Sequence, residues 1–515
     1  MKRSLITAYL FLCAGMAYAA GPNPDELKSF KVLVPDYSKT SGGVSPAISP
    51  NGDNVAFYSH EDGDHFAGDL YLLSGIGRID EDTTVDPKKL EDNPARMPGR
   101  YDRRARAIDW SPDGDRLAFL GLDGGLYVKR VFDPVNKKPG ETRRLAITDT
   151  TDMTRRIAIP RWSPDGKHIA FLRIAGEQSS SVCVVDVASG AERVLADDAL
   201  PDENYVWQQP WSPDSTRIVY AGGKLAMNVS IGVVETPTPR EARNAPEGSV
   251  LVVLSIDGTQ RKVIRGKPSA LCPSWSPVGA RFAYSSLTSG SLKISDRKYV
   301  GYTTVAIWSC DADGRNPKML THSEPSKEQA TAVRTAMTRA FAKAIDEQYG
   351  ATLTPTQLRK LRSGAMTMTE MGEIAKLKAK CPADLQPAGG DSSNDTAQGR
   401  MRADVVTEAF QQVSAQMMSA VGRMHMSPVW SPDGKRIAFA RGFLGEEGNR
   451  DLVVRDLATG KERVLVDHSG ISCFSWAKRR TALVAEIRRL MSRQEAGLET
   501  KSQPGYPEIW LLEPK

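Results

Sequence analysis

One phrase, Trp-Ser-Pro-Asp-Gly, constrains this chain more than any other feature. It stands complete at Trp110, Trp162 and Trp430, with variants at Ser49-Pro-Asn-Gly, Trp211-Ser-Pro-Asp-Ser and Trp275-Ser-Pro-Val-Gly, and a worn copy at Trp476-Ala-Lys-Arg, making seven units. Successive tryptophans are 52, 49, 64, 155 and 46 residues apart, so the period is near 50 with one interruption. A unit of that size cannot enclose a core alone and must bury its faces against its neighbours.

Each position has a mechanical reason. Proline presets the first central residue of a type I turn, Asp accepts local backbone N–H bonds, and Gly takes the left-handed position that closes a hairpin. A short strand follows, as in Arg116-Leu-Ala-Phe, His168-Ile-Ala-Phe and Arg436-Ile-Ala-Phe, then a third strand ending at a second turn such as Ala188-Ser-Gly, Asp257-Gly or Ala458-Thr-Gly, then a fourth such as Glu192-Arg-Val-Leu. Four strands per unit and seven units predict an all-β fold, a seven-bladed β-propeller. The seventh unit stops at its third strand, Ile509-Trp-Leu-Leu, and Phe30-Lys-Val-Leu-Val reads like the missing fourth. The strand Lys31 to Val34 is therefore expected to pair with Ile509 to Leu512, leaving no blade half built.

Between blades five and six, residues 323–426 follow a different grammar. Ser326 with Gln329, Thr354 with Gln357 and Thr367 with Glu370 are capping boxes, and Pro355 stands at a first helical position. Val333, Met337, Phe341 and Ile345 form one apolar stripe, and Val406, Phe410, Val413, Met417 and Val421 another, with a Gly/Ser/Asp/Asn stretch between them. This is a helical insertion, and nine of the 16 methionines fall in it, a composition suited to adaptable contacts or to the core of a small bundle. The Trp-Ser-Pro-Asp-Gly turns and the third-to-fourth turns share one face of the disc. The opposite face receives the insertion, the loops Ala221 to Gly248, Ser285 to Thr303 and Ile487 to Pro507, and His60, His65, His322, His425 and His468. Long loops on a rigid scaffold are where function is usually carried.

Residues 1–19 read as a signal peptide: Lys2 and Arg3, an apolar run from Leu5 to Ala14, then Ala17-Tyr18-Ala19 before the cut. Export to the periplasm or beyond is expected, with 20–322 forming blades one to five, 427–515 forming blades six and seven, and no membrane span after cleavage. The mature chain carries 66 bases against 62 acids, too even a balance to argue for nucleic acid. Its five cysteines have no CxxC spacing and read as small buried hydrophobes.

The repeats, and Trp308-Ser-Cys-Asp-Ala-Asp-Gly-Arg-Asn-Pro-Lys-Met-Leu-Thr in particular, resemble the propellers of the TolB family of the periplasmic Tol-Pal system, and more loosely those of prolyl oligopeptidase-type enzymes. The resemblance covers nearly the whole mature chain outside the insertion and implies a periplasmic propeller that binds protein. Candidate binding residues are the basic run Arg100, Arg103, Arg104 and Arg106, with Arg96, around Tyr101, whose guanidinium forks suit carboxylate or phosphate. Trp207, beside Tyr205, reads either as a stacking platform or as inter-blade packing. His60-Glu-Asp-Gly-Asp-His65 has no second cluster to complete a metal set and reads as a solvated hairpin loop. No catalytic residue, metal site or cofactor is expected: the chain has no GxSxG elbow and no hydrolase domain of about 200 residues. The expected function is a non-catalytic protein-interaction platform for an envelope protein or peptide. The alternative is a propeller enzyme such as a metal-dependent lyase acting on acidic oligosaccharides, which needs several histidines to converge.

Overall fold

The structure, a computed structural model, describes all residues except 1–20, 24, 33–43, 60–68, 77–87, 92–107, 122, 132–139, 147–154, 176–179, 225–229, 235–247, 265–268, 296–297, 350–352, 364–365, 367–369, 372, 375–423, 443–449 and 489–506. The signal peptide, the Arg100 to Arg106 run, His60 to His65, Thr367, Cys381 and the second apolar stripe lie outside the described residues.

Antiparallel β-structure dominates, and each copy of the repeat heads one meander. The Ile48 unit runs through Val44–Ile48, Asn54–Ser59, Asp69–Ser74 and Lys88–Glu91, and the Trp110 unit through Ile108–Trp110, Arg116–Leu120, Leu126–Arg130 and Thr142–Ala146. Arg155–Trp162, His168–Ala175, Ser180–Asp186 and Glu192–Ala199 make the Trp162 unit. In the Trp211 unit the first strand shrinks to a single bridge, Trp211 to Ile218, ahead of Arg217–Gly222, Val250–Ser255 and Arg261–Ile264. Ala270–Trp275, Arg281–Ser295, Lys298–Asp311 and Lys318–Met319 form the Trp275 unit. The long strand Glu462–Trp476 serves two meanders, following Met424–Trp430, Arg436–Gly442 and Arg450–Asp456 and then leading Leu483–Arg488 and Pro507–Pro514. Leu27–Val32 completes the last, pairing Phe30 with Leu512 and Val32 with Trp510, the expected closure begun four residues earlier than the sequence placed it.

The repeat turn works as its residues dictate. Ser111 donates its hydroxyl to Asp113, Arg116 N–H donates to Ser111 Oγ at 2.9 Å, and Gly114 closes the turn at φ +83°. The same bonds recur from Ser163 to Asp165, Ser212 to Asp214 and Ser431 to Asp433. Burial opposes charge on Asp113, Asp165, Asp214 and Asp433, but the serine hydroxyl, backbone N–H groups and a nearby cation hold each carboxyl below its usual range.

Tryptophan joins unit to unit. Trp110, Trp211, Trp430 and Trp476 donate their indole N–H to the backbone carbonyls of Ala47, Arg161, Ser274 and Val429, each on the first strand of a preceding unit. The arginine that opens the second strand reaches forward, so that Arg116 covers Trp162, Arg217 covers Trp275 and Arg281 covers Trp430, at 4.8 to 5.2 Å. His168 occupies that position beside Trp211. Where Ile48 replaces tryptophan, the worn copy supplies the joint: Arg479 N–H donates to Pro50 O, and Lys478 Nζ reaches Trp110 O at 3.1 Å.

Two readings need correction. Ser285 to Thr303 is not a loop: outside 296–297 it belongs to the strands Arg281–Ser295 and Lys298–Asp311, and part of Ala221 to Gly248 is the strand Ser230–Val234 that pairs with 299–303. The three form an arm extending from the Trp275 unit, away from its repeat turn. Leu292, Ile294, Val300 and Tyr302 on the arm pack against Ala330, Val333, Met337, Ala340 and Phe341 of the helix Lys327–Tyr349. Gly290 lies opposite Tyr302, whose ring takes the room a Cβ would need. The helix is capped by Ser326 and Gln329 as expected, and the helix Pro355–Arg362 by Thr354 and Gln357. Its far end, through Ala344 and Ile345, meets Leu361, Met366, Met371 and Ile374. Among the described residues no helix is long and apolar enough to cross a membrane.

Candidate functional site

The first strands of the units share a deformation that the repeat phrase does not announce. A proline stands two residues before the Trp or Ile of four copies, at Pro46, Pro160, Pro273 and Pro428, and the residue before each is left-handed: Ser45 (φ 53°), Ile159 (41°), Cys272 (51°) and Ser427 (57°). Pairing slips at the same points, between Val44 and Ala47, Ala158 and Arg161, Leu271 and Ser274, and Met426 and Val429. These are β-bulges, which bend a strand and re-aim its side chains, and a non-glycine residue held there costs on the order of 1–3 kcal/mol. The spacing Pro-x-Trp is the signal that reveals them.

In the Trp211 unit a short helix, Glu203–Val206, stands where a full first strand would run, capped by Asp202. Asn204 O approaches Cys272 Sγ at 3.4 Å, and Gln208 N–H donates to Pro273 O. Below it Gln209 bridges three units. Its Oε1 accepts from Ser274 Oγ at 2.7 Å and Trp430 N–H at 3.0 Å, while Nε2 points at Trp430 O. Lys478 likewise passes the Ile48 unit to reach the Trp110 unit. Trp162 N–H donates to Asp109, and Arg161 Nε to Gln208 O.

On the far side of the bulges from the repeat turns lie Tyr205 and Arg450. Arg450 opens the third strand of the Trp430 unit and donates Nη1 to Ile471 O in the Trp476 unit at 3.3 Å. Among the described residues its Nε and Nη2 have no acceptor. Burial pushes the Tyr205 phenol up to about 12, Asp202 and Cys272 add to this, and the Arg450 guanidinium pulls the other way. Other arginines nearby are matched: Arg441 with Asp451 and Glu462, and Arg455 with Glu462. Met426 packs against the same apolar cluster as Tyr205, with Leu271 and Cys272.

A second polar group lies between the Trp275 and Trp430 units. His425 is 3% exposed, tilted on Phe439 at 5.0 Å, and held down to about 3 by burial, then by Arg441, Arg455 and His322. Its Nδ1, like the Oγ atoms of Ser285 and Ser323, has no partner among the described residues. His322 is exposed beside Glu324. The side chain of His468 is not described, and among the described residues no three His, Cys, Asp or Glu groups are placed to hold a metal. Cys183, Cys272, Cys310 and Cys473 are buried without a disulfide between them, as small hydrophobes are.

Of the binding residues expected from sequence, only Trp207 is described. It is fully buried, among Leu200, Val206, Tyr220 and Cys272, in the packing position rather than on a surface. Tyr205, its neighbour, is half-buried against the same cluster. Sequence reading missed Arg450 and Gln209, which stand alone without a motif.

No family model and no curated protein matches the chain. Solved structures similar to it include an oligogalacturonate lyase in complex with manganese, 11% identical over 97% of this chain and 98% of that one, with a TM-score of 0.49. TolB from Acinetobacter baumannii is 11% identical over 91% and 78%, TM-score 0.34, and the β-propeller domain of the Trilobed protease from Pyrococcus furiosus is 10% identical over 93% and 97%, TM-score 0.42. None of the three reaches a TM-score of 0.5, and nothing about activity is carried over from them.

Proposed function

We propose that the chain is an exported, seven-bladed β-propeller that serves as a non-catalytic platform for an envelope protein or peptide, with residues 323–426 inserted between blades five and six as its contact structure. The observation that supports this reading best is the arm. Two strands of 15 and 14 residues outrun every neighbour in their unit, recruit Ser230–Val234 from the previous one and carry the helix Lys327–Tyr349 on an apolar face. An element that extends beyond the rigid blades on the side opposite the repeat turns offers a partner a fixed, distinctive surface. Arg100, Arg103, Arg104 and Arg106 precede the first strand of the second blade on that side and belong to the same surface in this reading.

Replacing Ser323 to Arg423 by a short Gly/Ser linker, which leaves the strand Met424–Trp430 whole, tests it. The expected outcome is a folded ring that no longer retains its partner from envelope extract. Retention of every partner by the excised protein would remove the insertion from the function. Metal-dependent release of an ultraviolet-absorbing unsaturated product from an acidic oligosaccharide would replace the platform reading with the lyase one.

A further inference from the structure

We infer that the worn copy of the repeat is a latch. Lys478 and Arg479 stand where the complete copies carry Pro and Asp, and they hold the Trp110 unit across the Ile48 unit, so that the last unit closes on two units at once. The latch presupposes the ring of the propeller reading but not the platform.

The repeat phrase aligns Trp476-Ala477-Lys478-Arg479-Arg480 with Trp110-Ser111-Pro112-Asp113-Gly114. The span of the hairpin survives: Ala477 N–H donates to Ala482 O as Ser111 N–H donates to Arg116 O, both at 2.9 Å. What is lost is the turn's own chemistry, the serine hydroxyl on the carboxylate and the left-handed glycine. Each replaced residue reaches away from its own turn instead. Lys478 Nζ donates to Trp110 O at 3.1 Å, Arg479 Nη2 to Pro112 O at 3.2 Å, and Arg479 N–H to Pro50 O at 2.7 Å. Arg480 lies over Gly52, in the room a Cβ would fill, and pairs with Glu513. Drift would leave a turn without partners. Three consecutive residues that all bind outside the turn exchange one joint chemistry for another.

The exchange falls at the joint that needs it. Trp110, Trp211, Trp430 and Trp476 each send an indole N–H to a preceding first strand, and Ile48 has none to send to the Trp476 unit. Ile48, Val55 and Phe57 pack on Ala477, Val484 and Leu511, and Ser45 N–H donates to the buried Glu486 at 2.9 Å. Apolar packing fixes area and tolerates adjustment, so such a joint can hinge. The latch turns the hinge into a triangle. Trp110 is tied to Ala47 through its indole and to Lys478 through its carbonyl, while Arg479 N–H is tied to Pro50. Holding the Trp476 and Trp110 units to each other holds the Ile48 unit between them.

Native-state hydrogen exchange on the full chain tests this. In Lys478→Met combined with Arg479→Gln, the amides of Val44–Ile48 and Ile108–Trp110 should exchange about tenfold faster, while those of Ala270–Trp275, at a joint without a latch, stay unchanged. Lys478→Arg should keep most of the protection, and Lys435→Met, in an intact copy, should change neither strand. A second variant repairs the phrase with Ala477→Ser, Lys478→Pro, Arg479→Asp and Arg480→Gly. Consensus repair ordinarily stabilises a protein. Here it should speed exchange at Val44–Ile48 as much as the double variant does. Exchange that is slower or unchanged after repair, unchanged in the double variant, or raised equally at Ala270–Trp275 overturns the latch and leaves the ring standing. Free exchange of Leu27–Val32 and Pro507–Pro514 in the unaltered protein would mean that no ring is closed, and the propeller reading would fall with the latch.

Discussion

The joint between the Trp275 and Trp430 units and the docking of the helix Lys327–Tyr349 on the arm lie close together in the chain, yet they are built differently. At the joint one buried indole is fixed from two sides, by a hydrogen bond to Ser274 O and by Arg281 over its face. At the docking site Val333, Ala340 and their neighbours meet Val300 and Tyr302 through apolar contact, beside which Arg334 Nη1 donates to Tyr299 O at 2.9 Å. Directional contacts specify a register, so the ring is a single solution repeated. Apolar contact specifies area and tolerates adjustment, which suits a surface that must meet a partner.

The largest expected effect breaks the ring side of this contrast. Removing residues 20–36 deletes the strand paired with Pro507–Pro514 and should cost on the order of 4 kcal/mol or prevent folding, because an edge and its buried side chains are exposed. An unchanged melting temperature would show that the closure is dispensable.

Acid comes next. The unfolded chain's histidine takes a proton near its ordinary 6.5, whereas His425 resists it until about 3, so its contribution is complete above pH 6.5 and is lost as pH falls toward 3. A loss on the order of 3 kcal/mol across that window is expected, removed by His425→Phe. The depressed carboxyls of the repeat turns act later: their contribution stands above pH 4 and fades below it, so Asp→Asn at 113, 165, 214 and 433 should flatten only the acid limb of a melting curve. A profile unaffected by either set would separate these groups from stability.

Gly434→Val should cost roughly 2–3 kcal/mol, since it combines a left-handed backbone with overlap on Val278, while Gly258→Val meets no atom within 4 Å and should cost about 1 kcal/mol from strain alone. Equal values from chemical denaturation would mean that neighbouring turns do not nest. A matched pair sharpens the joint further. Trp430 and Trp275 are both buried under an arginine, but the Trp275 indole N–H has no partner among the described residues. Trp430→Phe should therefore exceed Trp275→Phe by about 1 kcal/mol, one buried hydrogen bond, and a reversed order would break the assignment. The smallest effect on the ring should come from Val333→Asp, which undocks the helix: limited proteolysis should cut near 327–349 while the main transition moves by less than about 0.5 kcal/mol.

The ring was legible because its specification is local. Turn chemistry sits within five residues, the period repeats it, and the closing strand at Phe30 carries the same alternation as the strands it imitates. The caps at Ser326 and Thr354 and the stripe from Val333 to Ile345 were legible for the same reason. The arm was not. Ser285 to Ser295 is rich in small polar residues that read as loop, and Ser230–Val234 lies some 70 residues from the 299–303 stretch it pairs with, so only tertiary pairing turns these segments into strands. The bridge at Gln209 was illegible in a different way: its partners Ser274 and Trp430 come from separate units and reach it only when the units pack together, whereas Trp207, read as either a platform or packing, is buried where packing needed bulk.

Pairing of Phe30 with Leu512 also imposes a schedule. The two strands are separated by some 480 residues of synthesis, which at 5–20 residues per second is roughly half a minute to a minute and a half. Throughout that time the early strand has no mate, and every blade between must wait with the ring open. A chain crossing a membrane in the same order would deliver the fastener well before the strand it fastens, so the final click of the ring reports that every unit between the two has arrived.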